Sequence, residues 1–153
     1  MKIVSVGPAA PLRGGIAKFN ESFVLACKSL GHDAEIVSYK FLYPSFLFPG
    51  KTQFSDDPSA DNLKINSLIH SLNPFNWGRV AVYITKLHPG LIVIHYWMPF
   101  FAPVLGIIAR KVRKKTGAKV IAVTHNLIPH EKQFGSGILT RFFLNSIDGI
   151  VAL

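Results

Sequence analysis

Three places in this chain combine residue types that suit chemistry. Gly14 and Gly15 follow a short apolar run, Ile3–Val6, and precede a helical pattern. His95-Tyr96-Trp97 follows a second apolar run. His125-Asn126 follows a third, with His130-Glu131 just beyond. A glycine pair that opens a helix presents unpaired backbone N–H groups and the positive end of the helix dipole, a combination that holds phosphate. Histidine moves protons near neutral pH. The glycine spacing is neither G-x-G-x-x-G nor a P-loop, because no Gly-Lys-Ser/Thr follows. A nicotinamide dinucleotide site and a Walker ATPase are therefore not expected. A plain strand-to-helix turn would carry the same glycines, and a lone histidine is more often structural than catalytic. His125, His130 and Glu131 are possible metal ligands, but their spacing on a loop containing Pro129 matches no helical zinc motif, so no metal is expected.

The pattern of apolar residues says what must position these groups. Ile3–Val6 reads as a strand buried on both faces, and Pro8, Pro11 and Gly14-Gly15 as the loop after it. Ile16–Leu30 reads as a helix with Ile16, Phe19, Phe23, Cys27 and Leu30 on one face. Ala34–Tyr39 is a second strand, which completes a βαβ unit. Phe41–Asp61 is a long irregular insertion rich in aromatics, and Leu63–Leu72 a short strand or hairpin. Asn76–Leu87 reads as a helix, Leu91–Ile94 as a core strand, His95–Phe100 as a turn and Ala102–Lys115 as a helix. In that helix Leu105, Ile108, Ala109 and Val112 face the sheet. Lys119–Thr124 is the next strand, Ile138–Ser146 a helix and Gly149–Leu153 the start of another strand. The alternation predicts an α/β fold: a doubly wound parallel sheet with helices on both faces. In such a sheet ligands bind beyond the carboxyl ends of the strands, and all three groups fall there.

Leu91–Ala109 is 19 residues without a formal charge and is followed by a basic cluster, as a membrane span would be. His95, Pro99 and Pro103 fit a span badly, and strand, turn and helix divide the stretch better. The 153 residues suffice for one domain with a core, and 49% are hydrophobic, which excludes general disorder. The only cysteine is Cys27, so no internal disulfide forms, and its place in a helical pattern suggests a small core residue. Cysteine usage and the absence of a signal-peptide pattern at the first residues fit a cytoplasmic location. The formal charge of +9 implies an anionic partner. No nucleic-acid module surrounds the densest cluster, Arg110–Lys115, so nucleic acid is not the expected partner. That cluster is either a solvated helix end or a contact for an anionic membrane surface.

Gly14-Gly15-Ile16-Ala17, Gly31-His32, Thr124-His125-Asn126 and Asp148-Gly149-Ile150-Val151, in this order, resemble family 4 glycosyltransferases. The resemblance runs over residues 1–153 and covers the amino-terminal, Rossmann-like domain of a two-domain GT-B architecture. It implies a chain truncated before a carboxy-terminal donor-binding domain, and a hexosyltransferase that needs both halves to work. Such enzymes transfer a sugar from a nucleotide-sugar with retention of configuration and as a rule without metal or other cofactor. The resemblance places the donor diphosphate at Gly14 and Gly15, with Arg13 a possible added cation, and gives His125 the catalytic position near the transferred sugar. The acceptor side is then expected at the other residues of this sheet edge, His95, Trp97, Asn126, His130 and Glu131. Departure of a nucleoside diphosphate builds negative charge, which preorganised N–H groups and cations stabilise. The expected acceptor is a carbohydrate or a lipid-linked molecule in cell-envelope, polysaccharide or glycolipid synthesis, with the protein peripheral on the inner face of the membrane. Two alternatives stay open: a non-enzymatic sugar-nucleotide or membrane-surface binding module, and a flavodoxin-like ligand-binding domain.

Overall fold

The computed structural model describes residues 1–42, 44, 54, 62–125 and 135–153. β1 (Lys2–Val6) leads through the proline and glycine loop into α1 (Gly15–Ser29), and β2 (Asp33–Phe41) follows. Then come β3 (Ile65–His70), α2 (Pro74–Lys86), β4 (Leu91–Tyr96), α3 (Ala102–Thr116), β5 (Lys119–Thr124), α4 (Ser136–Leu144) and β6 (Gly149–Ala152). The strands form one sheet in the order β3-β2-β1-β4-β5-β6, and every pairing is parallel. This is the expected Rossmann-like α/β fold.

The two-residue period of the strands sorts side chains between two cores. Val4, Val6, Ile92, Ile94 and Tyr96 pack with Val80 and Ile84 of α2 and Leu105, Ile108 and Val112 of α3. Ile3, Ala34, Ile36, Val93 and Val123 point the other way and pack with Val24 and Cys27 of α1. Helices therefore cover both faces, and each fully buried Ile or Val contributes about 1.5–3 kcal/mol. Cys27 is buried, as a small core residue would be.

Leu91–Ala109 divides into β4, a 3₁₀ turn at Pro99–Phe101 and the start of α3. Among the described residues no helix is long and apolar enough to cross a membrane. Leu105, Ile108, Ala109 and Val112 are buried on α3. Pro103 lies in the first turn of that helix, where a missing N–H breaks no helical bond.

Three expectations need correction. Residues 63–72 contain β3, which runs parallel to β2, so the two do not form a hairpin. On α1 the buried residues are Ala17, Asn20, Val24 and Cys27, while Phe19 is 39% and Leu30 75% exposed. The helix is rotated from the purely apolar expectation because a polar side chain, Asn20, is required inside. His95 belongs to β4 and not to the turn after it. Tyr43, Phe46, Leu47 and Phe48 of the insertion lie outside the described residues. Phe54 forms an antiparallel bridge with Leu12, which ties the insertion to the loop before Gly14.

Candidate active site

The chain moves outward from β1 in both directions, through β2 on one side and β4 on the other. Loops leaving neighbouring strands at such a point diverge and open a crevice at the carboxyl ends. The residues beside it on the α1 face continue the strand alternation, but here it turns polar. Ile3 is followed by Ser5, Ile36 by Ser38, Val93 by His95 and Val123 by His125.

These residues form a connected set. Asn20 is fully buried, and its Nδ2 donates to the carbonyl of Pro8 at 2.8 Å. The Ser5 hydroxyl donates to Asn20 Oδ1 at 2.6 Å. Ser5 Oγ lies 3.1 Å from His95 Nε2, and His95 Nδ1 lies 3.0 Å from His125 Nε2. The two imidazoles stack with centroids 5.3 Å apart and planes at 26°. Phe19 of α1 sets its edge against both, at 5.8 Å from His95 and 5.2 Å from His125. His125 is anchored through its backbone, whose N–H donates to the Tyr96 carbonyl at 2.9 Å.

Burial, aided by the neighbouring His125, pushes the His95 pKa down from 6.5 to about 3. The ring is neutral at any physiological pH. Burial also lowers the pKa of the half-buried His125. A neutral imidazole with one nitrogen engaged can accept a proton or a hydrogen bond at the other.

Gly7 makes this packing possible. A Cβ at residue 7 would stand 2.9 Å from His95 Cβ and 3.0 Å from His95 Cδ2, closer than such atoms approach. The loop that follows is tied down at several points. Ala9 N–H donates to Ser38 Oγ, Ala10 N–H to Glu21 Oε1 and Leu12 N–H to the Ala9 carbonyl. Gly14 then caps α1 with φ at 134°, a conformation that favours glycine. Gly15 has no such strain, and a Cβ there would meet nothing within 4 Å. Arg13, Gly14 and Gly15 are all exposed. No side chain caps α1 and no acidic residue occupies its first turn, so its leading N–H groups are open to an anion. Phe19, which touches His125, lies one turn from Gly15, about 6 Å along the axis.

Of the expected acceptor-side residues, His95 is fully buried, with both ring nitrogens engaged by protein groups. It has no face to offer a sugar. Trp97 is half-buried, its ring centroid 4.4 Å from Phe101 and 6.2 Å from Tyr39. Asn126, His130 and Glu131 lie outside the described residues. Among the described residues no three His, Cys, Asp or Glu side chains group as metal ligands. Ser5 and Asn20 did not stand out as site residues in the sequence. In the sequence each is only an irregularity, a serine where a buried strand expects an apolar residue and an asparagine on the inward face of a helix.

No protein-family model and no curated protein matches the chain. Solved structures do resemble it. An alpha-glucosyltransferase in complex with UDP and a 13-mer DNA containing a HMU base matches with a TM-score of 0.59 at 13% identity, over 98% of this chain and 37% of that one. The same kind of enzyme with UDP and a 13-mer DNA containing a central A:G mismatch gives 0.59 at 11% identity, over 99% and 37%. The catalytic domain of Starch Synthase IV from Arabidopsis thaliana, bound to ADP and acarbose, gives 0.48 at 15% identity, over 82% and 34%. At these identities the likeness is one of fold. The chain spans 37% of the length of the first two.

Proposed function

We propose that this chain is the amino-terminal, acceptor-side half of a retaining glycosyltransferase of the family 4 kind, and that a second domain supplies the donor pocket. One observation carries the reading: a protein-held imidazole, His125, whose burial disfavours its charged form, stands beside the uncapped start of α1 at the carboxyl edge of the sheet. Transfer from a nucleotide-sugar needs both parts. The N–H groups at Gly14 and Gly15, with the exposed Arg13, would take the charge that builds on the departing diphosphate. His125 would orient the sugar or accept a hydrogen bond from the acceptor hydroxyl. His95 acts behind His125 and not on the acceptor. Trp97, Asn126, His130 and Glu131 remain proposed acceptor contacts, and neither metal nor other cofactor is required by this scheme. The UDP in the two alpha-glucosyltransferase structures of similar fold supports a nucleotide-bearing donor.

The basic cluster divides in two. Arg110 reaches Ser146 and lies over the Phe142 ring, and Arg113 pairs with Asp148, so both brace α4 and β6. Lys111, Lys114 and Lys115 instead line a groove of about 360 Å³ between α2 and α3 with Ala81 and Val82. Peripheral attachment to an anionic membrane at a cytoplasmic face would use these lysines. They stand where α3 runs toward β5, at the opposite edge of the sheet from His125, so the contact would orient the protein without entering the site. The DNA in the relatives favours a second possibility, a nucleic-acid acceptor drawn to the same positive charge.

The test is a radiolabelled sugar-transfer assay on the full-length parent. His125→Ala should lower turnover about 10²–10⁴-fold with the fold intact. Gly15→Val should abolish transfer with little change in melting temperature, since its side chain meets open space in the protein but stands where a diphosphate must approach. The 153-residue chain alone should transfer nothing. Near-normal turnover in both variants would defeat the reading.

A further inference from the structure

The hydrogen bonds between Pro8 and His125 have a direction that follows from one atom. The Pro8 carbonyl can only accept, so it fixes the Asn20 amide with Nδ2 toward Pro8 and Oδ1 toward Ser5. Oδ1 can only accept, so the single Ser5 hydroxyl proton goes to Asn20. With that proton spent, Ser5 Oγ meets His95 Nε2 as an acceptor, and Nε2 must carry the hydrogen. His95 is a neutral ring in a buried place, so its Nδ1 is then bare. A bare Nδ1 accepts, and His125 Nε2 must donate to it. What His125 has left is a lone pair on Nδ1.

We propose that Asn20 is a positioning residue that sets the tautomer of His125 through Ser5 and His95, so that the protein presents Nδ1 of His125 as the proton- or hydrogen-bond-accepting atom of the site. The assignment of a role to that lone pair rests on the glycosyl-transfer reading. The assignment of the tautomer does not. Reversing any link reverses all that follow it. If Ser5 lost its acceptor it would donate to His95, His95 would carry its hydrogen on Nδ1, and His125 would have to offer Nε2 to His95. Its own hydrogen would move to Nδ1, and the site would face a donor where it had an acceptor. Phe19 closes the α1 side of both rings without a competing polar group, which leaves Asn20 in control.

Nitrogen-15 NMR of histidine-labelled protein at about pH 8 reads this directly, because both rings are neutral there and bare and protonated ring nitrogens resonate far apart. The native protein should show His95 and His125 each with hydrogen on Nε2. Asn20→Leu should move both hydrogens to Nδ1. Asn20→Asp should keep the native pattern, since an aspartate oxygen still accepts from Ser5 in either protonation state. If Asn20→Leu does not fold, Ser5→Ala carries the test, and both rings should become tautomer mixtures. A native His125 with hydrogen on Nδ1 overturns the proposal. So does an unchanged Nε2 pattern in folded Asn20→Leu or Ser5→Ala. In the full-length transfer assay Asn20→Leu should lower kcat at least tenfold with KM for the nucleotide-sugar within twofold, and Asn20→Asp should restore it. A tautomer change without a kcat change would remove His125 from the chemistry and leave the tautomer assignment standing.

Discussion

At the amino end of the sheet, Glu35 is buried between Lys2 at 2.5 Å and Lys64 at 2.9 Å, and Asn66 donates to it at 2.9 Å. At the same end Asp148 accepts from Val120 N–H and pairs with Arg113. At the carboxyl end, Ser5, Asn20, His95 and His125 are joined with no formal charge among them. Both ends bury polar atoms under packed helices and strands, but by different means. The ion pairs bind β1 to β2 and β2 to Lys64, just before β3, and attraction between opposite charges tolerates small errors of angle. The neutral chain is less forgiving, since each group has a fixed number of hydrogens to give. It therefore carries information that an ion pair does not: which atom at its end is bare. Charge fastens the amino end of the sheet, and directed hydrogen bonds organise the carboxyl end, where the proposed site lies.

Acid separates the two ends. A histidine whose protonation the fold suppresses takes up its proton on unfolding. Its contribution is complete above pH 6.5 and is withdrawn as the pH falls from there toward about 3. Burial opposes ionisation of Glu35, but Lys2 and Lys64 outweigh it and hold its pKa below 4.5. Its contribution is complete above pH 4.5 and is lost as the pH falls through the lowered value. Between pH 6.5 and 4.5 the carboxyl end should thus weaken first. Urea denaturation should show stability falling by about 1.4 kcal/mol per pH unit from His95 alone. His95→Gln should remove that slope, and parallel curves for the two proteins would contradict the contrast. The next effect in size belongs to the other end. Glu35→Gln, at neutral pH, should cost about 1–3 kcal/mol by weakening bonds to a buried acceptor, while the nitrogen-15 pattern of His95 and His125 stays native. A shifted pattern would mean that the ends are coupled. The smallest effect should come from Lys64→Ala. The Lys64 side chain is 59% exposed, and pairs so wetted are worth about 0–1 kcal/mol. A larger loss on thermal melting would show Lys64 sharing the burial of Glu35.

The sequence made the α/β alternation readable because each element carries its own period. Leu105, Ile108, Ala109 and Val112 announce the buried face of α3 without reference to anything else. The glycine pair and His125 were readable as candidates because strand ends are marked by where apolar runs stop. Ser5 and Asn20 were not, for a physical reason. A serine in a strand and an asparagine in a helix have no meaning until the fold sets them against a histidine 90 residues from the serine. The rotation of α1 has the same origin: reading only apolar spacing chose Phe19 as core, whereas a polar requirement turned Asn20 inward. β3 was ambiguous because pairing partners are not encoded in a strand's own residues.

The pairing of β1 with β4 also bears on how the hydrogen-bonded series from Asn20 to His125 is assembled. β1, α1 and β2 are consecutive, and a partly folded chain containing only these could already hold Ser5, Asn20 and the Pro8 carbonyl in register. His95 arrives with β4, across the 90-residue separation from Ser5. Bringing distant segments together costs loop entropy that local structure does not repay. A partly folded chain with α1 formed and β4 undocked would therefore have the Gly14-Gly15 loop and no oriented imidazole. On the proposed glycosyl-transfer reading, such a species would hold phosphate without transferring sugar. On that reading phosphate binding is a poor assay of correct folding, and the hydrogen on His125 a good one.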